Sequence, residues 1–440
     1  MIQHMKQLWM AAFAAFGMGF AAFAGEWDGV LLQGRTLEDK AFYAPGEKMT
    51  FELKPVGAEK ITNAAFFVQW TRTGDDGKVE KGLGPVSATQ PLVFTTSLEK
   101  PGFVRIYAEI ADADGKPYRR SNDWPIFFDG GAGVEPEKLQ SVPEPADFDA
   151  FWTKQKARLV AMPMTVRRKE LPSQQGRVYA VEISCPSVRP VTGYLQVPAD
   201  ASPTNRYPCR LELQGYGYDS NPKAPTGAWH KDALVLSINA HGLRLPEFGA
   251  DAAYYKALEW EIKSNGHTYG FDPKQNADPE TAYFNGMALR VMRALQYLKS
   301  LPEWNGKDLI ASGGSQGGLQ AIWAAALDPD VTRAESTVTW CCDMDGTELG
   351  RNRGGWYVRW VPALGYYDPV NMARRIPKTC LTVIPRAGLG DYVCPPSGLA
   401  VLYNNIPGPK KIVWMQGSTH GYIPPQKDNQ IFTWTANGAE

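Results

Sequence analysis

The sequence lacks a charge of either sign to spare: 46 Lys and Arg stand against 46 Asp and Glu in 440 residues. That balance excludes a nucleic-acid-binding chain, which carries a basic excess or stripe. No run of five like charges occurs, so there is no polybasic arm or acidic tail. No CxxC pair suggests a zinc site. The six cysteines, Cys185, Cys209, Cys341, Cys342, Cys380 and Cys394, are too scattered for a disulfide scaffold. They leave two readings, buried thiols or a bridge with unassigned partners. After the first 24 residues no apolar stretch approaches the ~20 residues that cross a bilayer. Histidine is scarce as well: His4, His230, His241, His267 and His420 are the whole supply.

The 44% hydrophobic fraction excludes a disordered chain, and the length favours two domains. The N-terminus reads as an export signal. Lys6 precedes the apolar run from Leu8 to Phe20, and Ala22-Phe23-Ala24 offers a small-x-small cleavage pattern. Residues 1–24 are therefore expected to be removed. The mature protein is expected in the periplasm or outside the cell, with no membrane contact after cleavage.

Residues 25–130 read as a small all-β, sandwich-like domain. Runs such as Met49–Leu53 and Phe103–Ile110 are separated by the turn signals Pro45-Gly46, Asp75-Asp76-Gly77, Pro101-Gly102 and Asp114-Gly115. Gly130-Gly131-Ala132-Gly133, with Pro136 and Pro143 beyond, predicts a linker over 131–145. From residue 146 to 440 the pattern changes. A helix is expected over Ala146–Val160, with Phe148, Phe151, Trp152 and Leu159 on one face. A longer one is expected over about Thr281–Ser300. Strand-like runs at Arg210–Leu213, Leu234–Ile238, Leu309–Ser312, Cys380–Ile384 and Lys411–Trp414 alternate with helical stretches. Such alternation implies an α/β domain with a mostly parallel, doubly wound sheet.

Gly313-Gly314-Ser315-Gln316-Gly317 is a GxSxG motif, entered from a strand and left through the helical run Leu319–Leu327. A strand–turn–helix elbow needs small neighbours, because the serine backbone is strained and the helix packs close to the strand. This makes Ser315 the candidate nucleophile of an α/β-hydrolase. A serine hydroxyl needs a base to take its proton. In this fold the order along the chain is Ser, acid, His. Only His420 follows Ser315. For the acid, Asp391 lies just past the strand before the histidine's strand, and Asp343 is the runner-up. Asp328 and Asp330 read as helix-end loop residues. The oxyanion amides are expected from Gln316, directly after the nucleophile, and from Tyr216 in the turn after the strand Arg210–Leu213. His241, upstream of Ser315, is expected to be structural or to line the substrate site. Trp356 and Tyr357, in an aromatic and arginine-rich stretch where hydrolases insert lid elements, are expected either to pack a lid helix or to face substrate. No metal or cofactor is called for by this chemistry.

Further motifs carry a family resemblance. Asp147–Trp152, Gly215-Tyr216-Gly217, Gly313–Gly318, Tyr366–Ala373, Gly388–Ser397 and Tyr403-Asn404 resemble the acetylxylan esterase and cephalosporin C deacetylase family, carbohydrate esterase family seven, in order from about Pro145 to Gln426. The resemblance implies an α/β-hydrolase that removes acetyl groups from sugar hydroxyls. It implies Ser315, Asp391 and His420 as the triad and Tyr216 and Gln316 as oxyanion amides. The partner is then an acetylated oligo- or polysaccharide or a small acetyl ester, and an oligomer is compatible with it. Where the family commonly shows an Arg-Gly-Gln type segment, this chain reads Ala240-His241-Gly242-Leu243-Arg244. The family's usual members also lack a front β domain. A serine peptidase or another carboxylesterase of the same fold is the alternative enzyme, and a catalytically dead glycan-binding protein the alternative class.

Overall fold

The computed structural model describes residues 25–59, 61, 65–217, 224–225, 230–425 and 429–438. The expected export signal lies outside the described residues. The front domain is built from β1 (Leu31–Thr36), β2 (Phe42–Tyr43), β3 (Met49–Val56), β4 (Phe67–Gly74), β5 (Glu80–Pro85), β6 (Leu92–Thr96), β7 (Gly102–Ala111) and β8 (Phe127–Val134). They form two sheets, of order β1-β3-β6 and β2-β8-β7-β4-β5. In β3 and β7 buried positions alternate with half-buried ones over most of the strand, as a sandwich requires. Phe51, Leu53, Val68, Ile106 and Ile110 close the space between the two sheets.

The glycine run read as a linker is a strand. Gly130 to Gly133 lie inside β8 and are fully buried. The glycines serve close approach rather than flexibility. A Cβ on Gly131 would sit 2.1 Å from the Val104 carbonyl oxygen, and one on Gly130 would sit 2.1 Å from Gln416 Oε1. Gln416 accepts from the Gly131 amide and donates to its carbonyl, both at 2.9 Å, as a neighbouring strand would. Aromatic rings close the same seam: Phe42 and Phe103 of the front domain pack on Trp414 at 5.7 Å each. The front domain is thus joined to the rest by a shared core.

The rear domain opens with α1 (Phe148–Ala161), which buries Phe148, Phe151, Trp152 and Leu159, the predicted face. Among the described residues its sheet has ten strands: β9 (Val166–Leu171), β10 (Arg177–Ile183), β11 (Val191–Val197), β12 (Tyr207–Leu213), β13 (Leu234–Ile238), β14 (Trp304–Gly314), β15 (Arg333–Thr337), β16 (Leu381–Gly388), β17 (Lys410–Met415) and β18 (Ile431–Ala436). Their order is β18-β17-β16-β15-β14-β12-β13-β11-β10-β9. From β13 to β17 neighbours run parallel, and the edges are antiparallel. The other α-helices are α2 (Ala252–Glu261), α3 (Tyr283–Ser300), α4 (Gln316–Leu327), α5 (Pro369–Ala373) and α6 (Pro396–Asn405). In α4 every residue is buried, so it packs as a core helix of an α/β-hydrolase.

The expected lid helix does not form. Residues 347–361 are turns and irregular chain, ending in a short 3₁₀ turn, Pro362–Tyr366. The front domain holds this stretch. Asn352 donates its backbone N–H to Asp75 Oδ1 at 2.7 Å and its side-chain amide to Thr73 Oγ1 at 2.8 Å. Backbone groups are satisfied across domains where a helix would satisfy them internally. All six cysteines are buried free thiols.

Candidate active site

Ser315 sits between β14 and α4 with φ 56° and ψ −119°, a conformation that non-glycine residues rarely adopt. Strain of this kind costs about 1–3 kcal/mol and persists only where the surroundings enforce it. The Ser315 amide donates to the Thr337 carbonyl at 2.9 Å, and its carbonyl accepts from Trp340 at 3.1 Å. Glycine is needed at two neighbouring positions. A Cβ on Gly313 would lie 2.5 Å from the Gly317 carbonyl carbon, and one on Gly317 would lie 2.0 Å from the Leu213 carbonyl oxygen. The elbow thus brings β12, β14 and α4 together, with Ser315 half-buried at the sheet's C-terminal edge.

His420 lies in the loop after β17 and turns back to Ser315. Its Nε2 is 3.0 Å from Ser315 Oγ, and its Nδ1 is 3.0 Å from Asp391 Oδ2. Asp391 is fully buried. Its other oxygen accepts from the amides of Val393 at 3.0 Å and Cys394 at 2.9 Å, which fixes the carboxylate's rotation. The Arg386 guanidinium donates to the His420 carbonyl at 3.1 Å and anchors the loop. Asp343, the runner-up acid, is elsewhere engaged: it is ion-paired with Arg351 and its amide donates to Asp368. Asp328 and Asp330 hold Lys299, as ordinary loop residues would.

The front domain presses on this acid loop. A Cβ on Gly390 would lie 1.9 Å from the Asp129 carbonyl oxygen of β8. Asp129 itself is paired with Arg105 at 2.8 and 2.6 Å, and the Arg105 guanidinium lies 4.5 Å from the Tyr392 ring centroid. Burial, and more weakly the Asp391 carboxylate, push the Asp129 carboxyl up to about 6 against the pull of Arg105.

On the other flank the turn after β12 meets the first turn of α4. The first amides of a helix have no intrahelical partner, so the Gln316 N–H is available beside Ser315. The Gln316 side chain donates to the Gly215 carbonyl at 3.3 Å and accepts from the Tyr269 hydroxyl at 3.0 Å. The same hydroxyl accepts from the Gly217 amide at 2.9 Å. Tyr216 stacks on Tyr269 with centroids 4.2 Å apart, and its hydroxyl meets Thr268 and the Tyr269 carbonyl. The turn that carries Tyr216 and the first turn of α4 are therefore tied together through Tyr269 and the Gln316 side chain.

His241 does not line a substrate site. It is fully buried behind the turn, with Nε2 3.0 Å from the Gly217 carbonyl and Nδ1 2.7 Å from the Tyr283 hydroxyl. Burial pushes its pKa down to about 3, helped by Arg290 and Arg189 and opposed by the bond to Gly217. The ring is neutral, and since a carbonyl can only accept, Nε2 carries the proton and Nδ1 accepts from Tyr283. The reason is steric and aromatic: Tyr269 closes over the ring edge-on at 4.4 Å and Tyr283 flanks it. Trp356 is half-buried against Tyr216 at 4.8 Å and stacked on Trp340 at 5.3 Å, so it forms a wall beside the turn. Tyr357 is exposed, with the Arg353 guanidinium 5.9 Å from its ring. Tyr269, Tyr283 and Arg386 carried no signal in the sequence, because each matters through a tertiary contact alone.

Among the described residues one group, Asp391, Cys394 and His420, puts three ligand-type atoms within 4.8 Å of one another. Its donors are already committed. His420 Nδ1 meets Asp391, and burial raises the Cys394 thiol well above its ordinary value, keeping it protonated. A metal needs the thiolate and a free imidazole nitrogen, so the group suits proton transfer better than ligation.

A strained serine on a strand–helix elbow, a histidine within hydrogen-bond reach and a buried carboxylate behind it, on a mostly parallel sheet, define a serine carboxylic ester hydrolase of the α/β-hydrolase fold. The family model for acetyl xylan esterase (AXE1) matches residues 137–349 and 358–437, and the chain belongs to that family. The front domain lies outside the match. Acetyl esterase Axe7A of Xylanibacter ruminicola is 29% identical over 332 residues, covering 72% of this chain and 70% of that protein. Two solved structures share the fold. The acetyl xylan esterase from Paenibacillus sp. R4 has a TM-score of 0.53 at 24% identity, covering 66% of this chain and 94% of that one. Acetyl xylan esterase 1 from Thermoanaerobacterium sp. JW/SL YS485 has a TM-score of 0.51 at 20% identity, covering 67% and 95%.

Proposed function

We propose that the protein is an exported carbohydrate O-acetylesterase that works through an acyl-enzyme on Ser315. The observation that carries this reading is the pair of 3.0 Å hydrogen bonds linking Ser315, His420 and Asp391. Neutral His420 takes the Ser315 proton at Nε2 as Oγ attacks the acetyl carbonyl carbon. The negative charge that develops on the carbonyl oxygen is met by the Tyr216 and Gln316 amides and by the N-terminus of α4. Collapse breaks the bond to the sugar oxygen, which receives the proton from His420 and leaves as the free hydroxyl. Water then repeats the sequence on the acetyl-enzyme and acetate departs, restoring Ser315. Asp391 holds the His420 tautomer and stabilises the imidazolium. Support for the substrate comes from the family and from the name of the X. ruminicola relative; support for export comes from Lys6, the apolar run and Ala22-Phe23-Ala24.

The test is acetate release from acetylated xylan and from a chromogenic acetyl ester. Wild type is expected to turn over both. Ser315→Ala should lower kcat by roughly 10⁴-fold or more while circular dichroism stays native. Retained turnover in that variant would remove Ser315 from the reaction, and cleavage of peptide amides in place of acetyl esters would remove the substrate class.

A further inference from the structure

The sheet edge that carries Ser315 continues beyond the oxyanion turn. Leu213 at the end of β12 pairs with Gly313 of β14 and with Ile238 at the end of β13. Ile238 pairs with Gly193 near the start of β11, Val191 with Ile183 at the end of β10, and Ile183 with Val166 at the start of β9. All these chain ends share one edge. At its far end, beside β9, β10 and the start of β11, opens a cleft of about 480 Å³, lined by Arg167, Glu182, Arg189, Arg244, Phe248 and Tyr254. At about 4.8 Å per strand, β11 to β9 lie roughly 14–24 Å along the edge from β14. That is the reach of a short oligosaccharide whose acetyl group is at Ser315.

The charges in the cleft do not balance. Arg167 pairs with Glu182 at 3.1 Å and lies over the Phe248 ring at 4.2 Å. Arg189 is held by the His241 carbonyl at 2.8 Å and the Tyr283 hydroxyl at 3.3 Å, with no carboxylate among the described residues. Arg244 is exposed, its guanidinium 5.3 Å from the Tyr254 ring centroid, again with no carboxylate among the described residues. Three guanidinium groups therefore share one carboxylate, beside two aromatic side chains. Arginine is the side chain that grips a carboxylate through two parallel hydrogen bonds. Arg189 is already oriented by the network that holds the oxyanion turn, so a ligand there rests on a preorganised wall.

We infer that this cleft binds a uronic acid, a sugar bearing a carboxylate, on the glycan chain whose acetyl group is presented to Ser315. The inference rests on the esterase reading for its second half only. The preferred substrate is then an acetylated acidic glycan rather than a neutral one.

The experiment compares acetylated xylo-oligosaccharides of equal length with and without one glucuronic acid branch. Wild type should favour the acidic substrate by roughly tenfold or more in kcat/KM, carried by KM, as charge-assisted hydrogen bonds imply. In Arg244→Ala the ratio of acidic to neutral kcat/KM should fall towards one. It should fall likewise in wild type at high salt. A ratio near one in wild type, or one unchanged in Arg244→Ala, overturns the inference. If neither oligosaccharide loses acetate, the esterase reading fails. The cleft is then judged by calorimetry on Ser315→Ala, with the deacetylated acidic and neutral oligosaccharides as probes. Tighter binding of the acidic one upholds it, and equal binding overturns it.

Discussion

The two flanks of Ser315 are held by different means. On the acid–base flank, Asp391 and His420 sit on loops fixed by backbone amides, by Arg386 and by the front domain's β8. The flank of the proposed oxyanion amides is held by buried Tyr269, His241 and Gln316 together with half-buried Tyr283. In the proposed mechanism the first flank moves protons, and His420 keeps a partly open edge. In the same mechanism the second only keeps an amide still, and its histidine is sealed from water and neutral. One residue type thus serves two tasks, and burial together with hydrogen-bond partners decides which.

The comparison breaks most sharply at the acid. Asp391→Asn presents an amide to His420 Nδ1 and favours the wrong imidazole tautomer. In a serine triad such a change costs on the order of 10⁴ in kcat. The expected result here is a fall of that order on a chromogenic acetyl ester, with KM little changed. A fall of less than about tenfold would mean that Asp391 does not orient the base.

The oxyanion flank should respond less and differently. His241→Leu removes the donor to the Gly217 carbonyl while leaving Tyr269 on the Gly217 amide. The loss of transition-state hydrogen bonding from a loosened Tyr216 amide is bounded by removal of a whole oxyanion donor, about 10²–10³ in kcat. A fall of roughly ten- to a hundredfold is expected, carried by kcat rather than KM. His241→Gln, which can still donate to Gly217, should recover part of it. An equal loss in both variants, tracking a drop in melting temperature, would make His241 a packing residue alone.

Legibility followed the same division. Ser315 and His420 could be read from the chain because the elbow needs glycines in a fixed local pattern and because only one histidine follows it. The turn signals of the front domain predict its β sandwich, but its glycine run predicts a linker where β8 forms. A glycine needed for close approach looks identical in sequence to one needed for flexibility, and only the tertiary neighbours, here Val104 and Gln416, tell them apart. The sequence leaves His241 as either structural or substrate-lining, because the sealing by Tyr269 and Tyr283 that decides for the structural role arises from segments some 30 and 40 residues away. The Asn352 grip on Asp75 joins positions 277 residues apart, which no local period signals.

The smallest effect concerns stability, and it separates the carboxylates that lean on charge partners from those buried near one another. Asp343, Asp345 and Asp368 lie together beside the 347–361 stretch, all buried. Burial and the neighbouring Asp343 push Asp368 up to about 7; burial, Asp368 and Asp343 push Asp345 up to about 8. In the unfolded chain both release their protons near 3.8. Between about pH 4 and their folded values the native state holds more protons, so stability falls as pH rises. His241 works in the opposite sense, since the unfolded ring binds a proton that the folded one refuses, but only below its ordinary 6.5. From pH 6.5 to 8 the acids act without that opposition. For a chain of this length the melting temperature should fall by about 1 °C over this window for each kcal/mol lost. Asp345→Asn, whose amide can still donate to Asp343, should flatten the profile. A wild-type midpoint that holds steady or climbs from pH 6.5 to 8 would show that these carboxylates are already ionised in the folded protein.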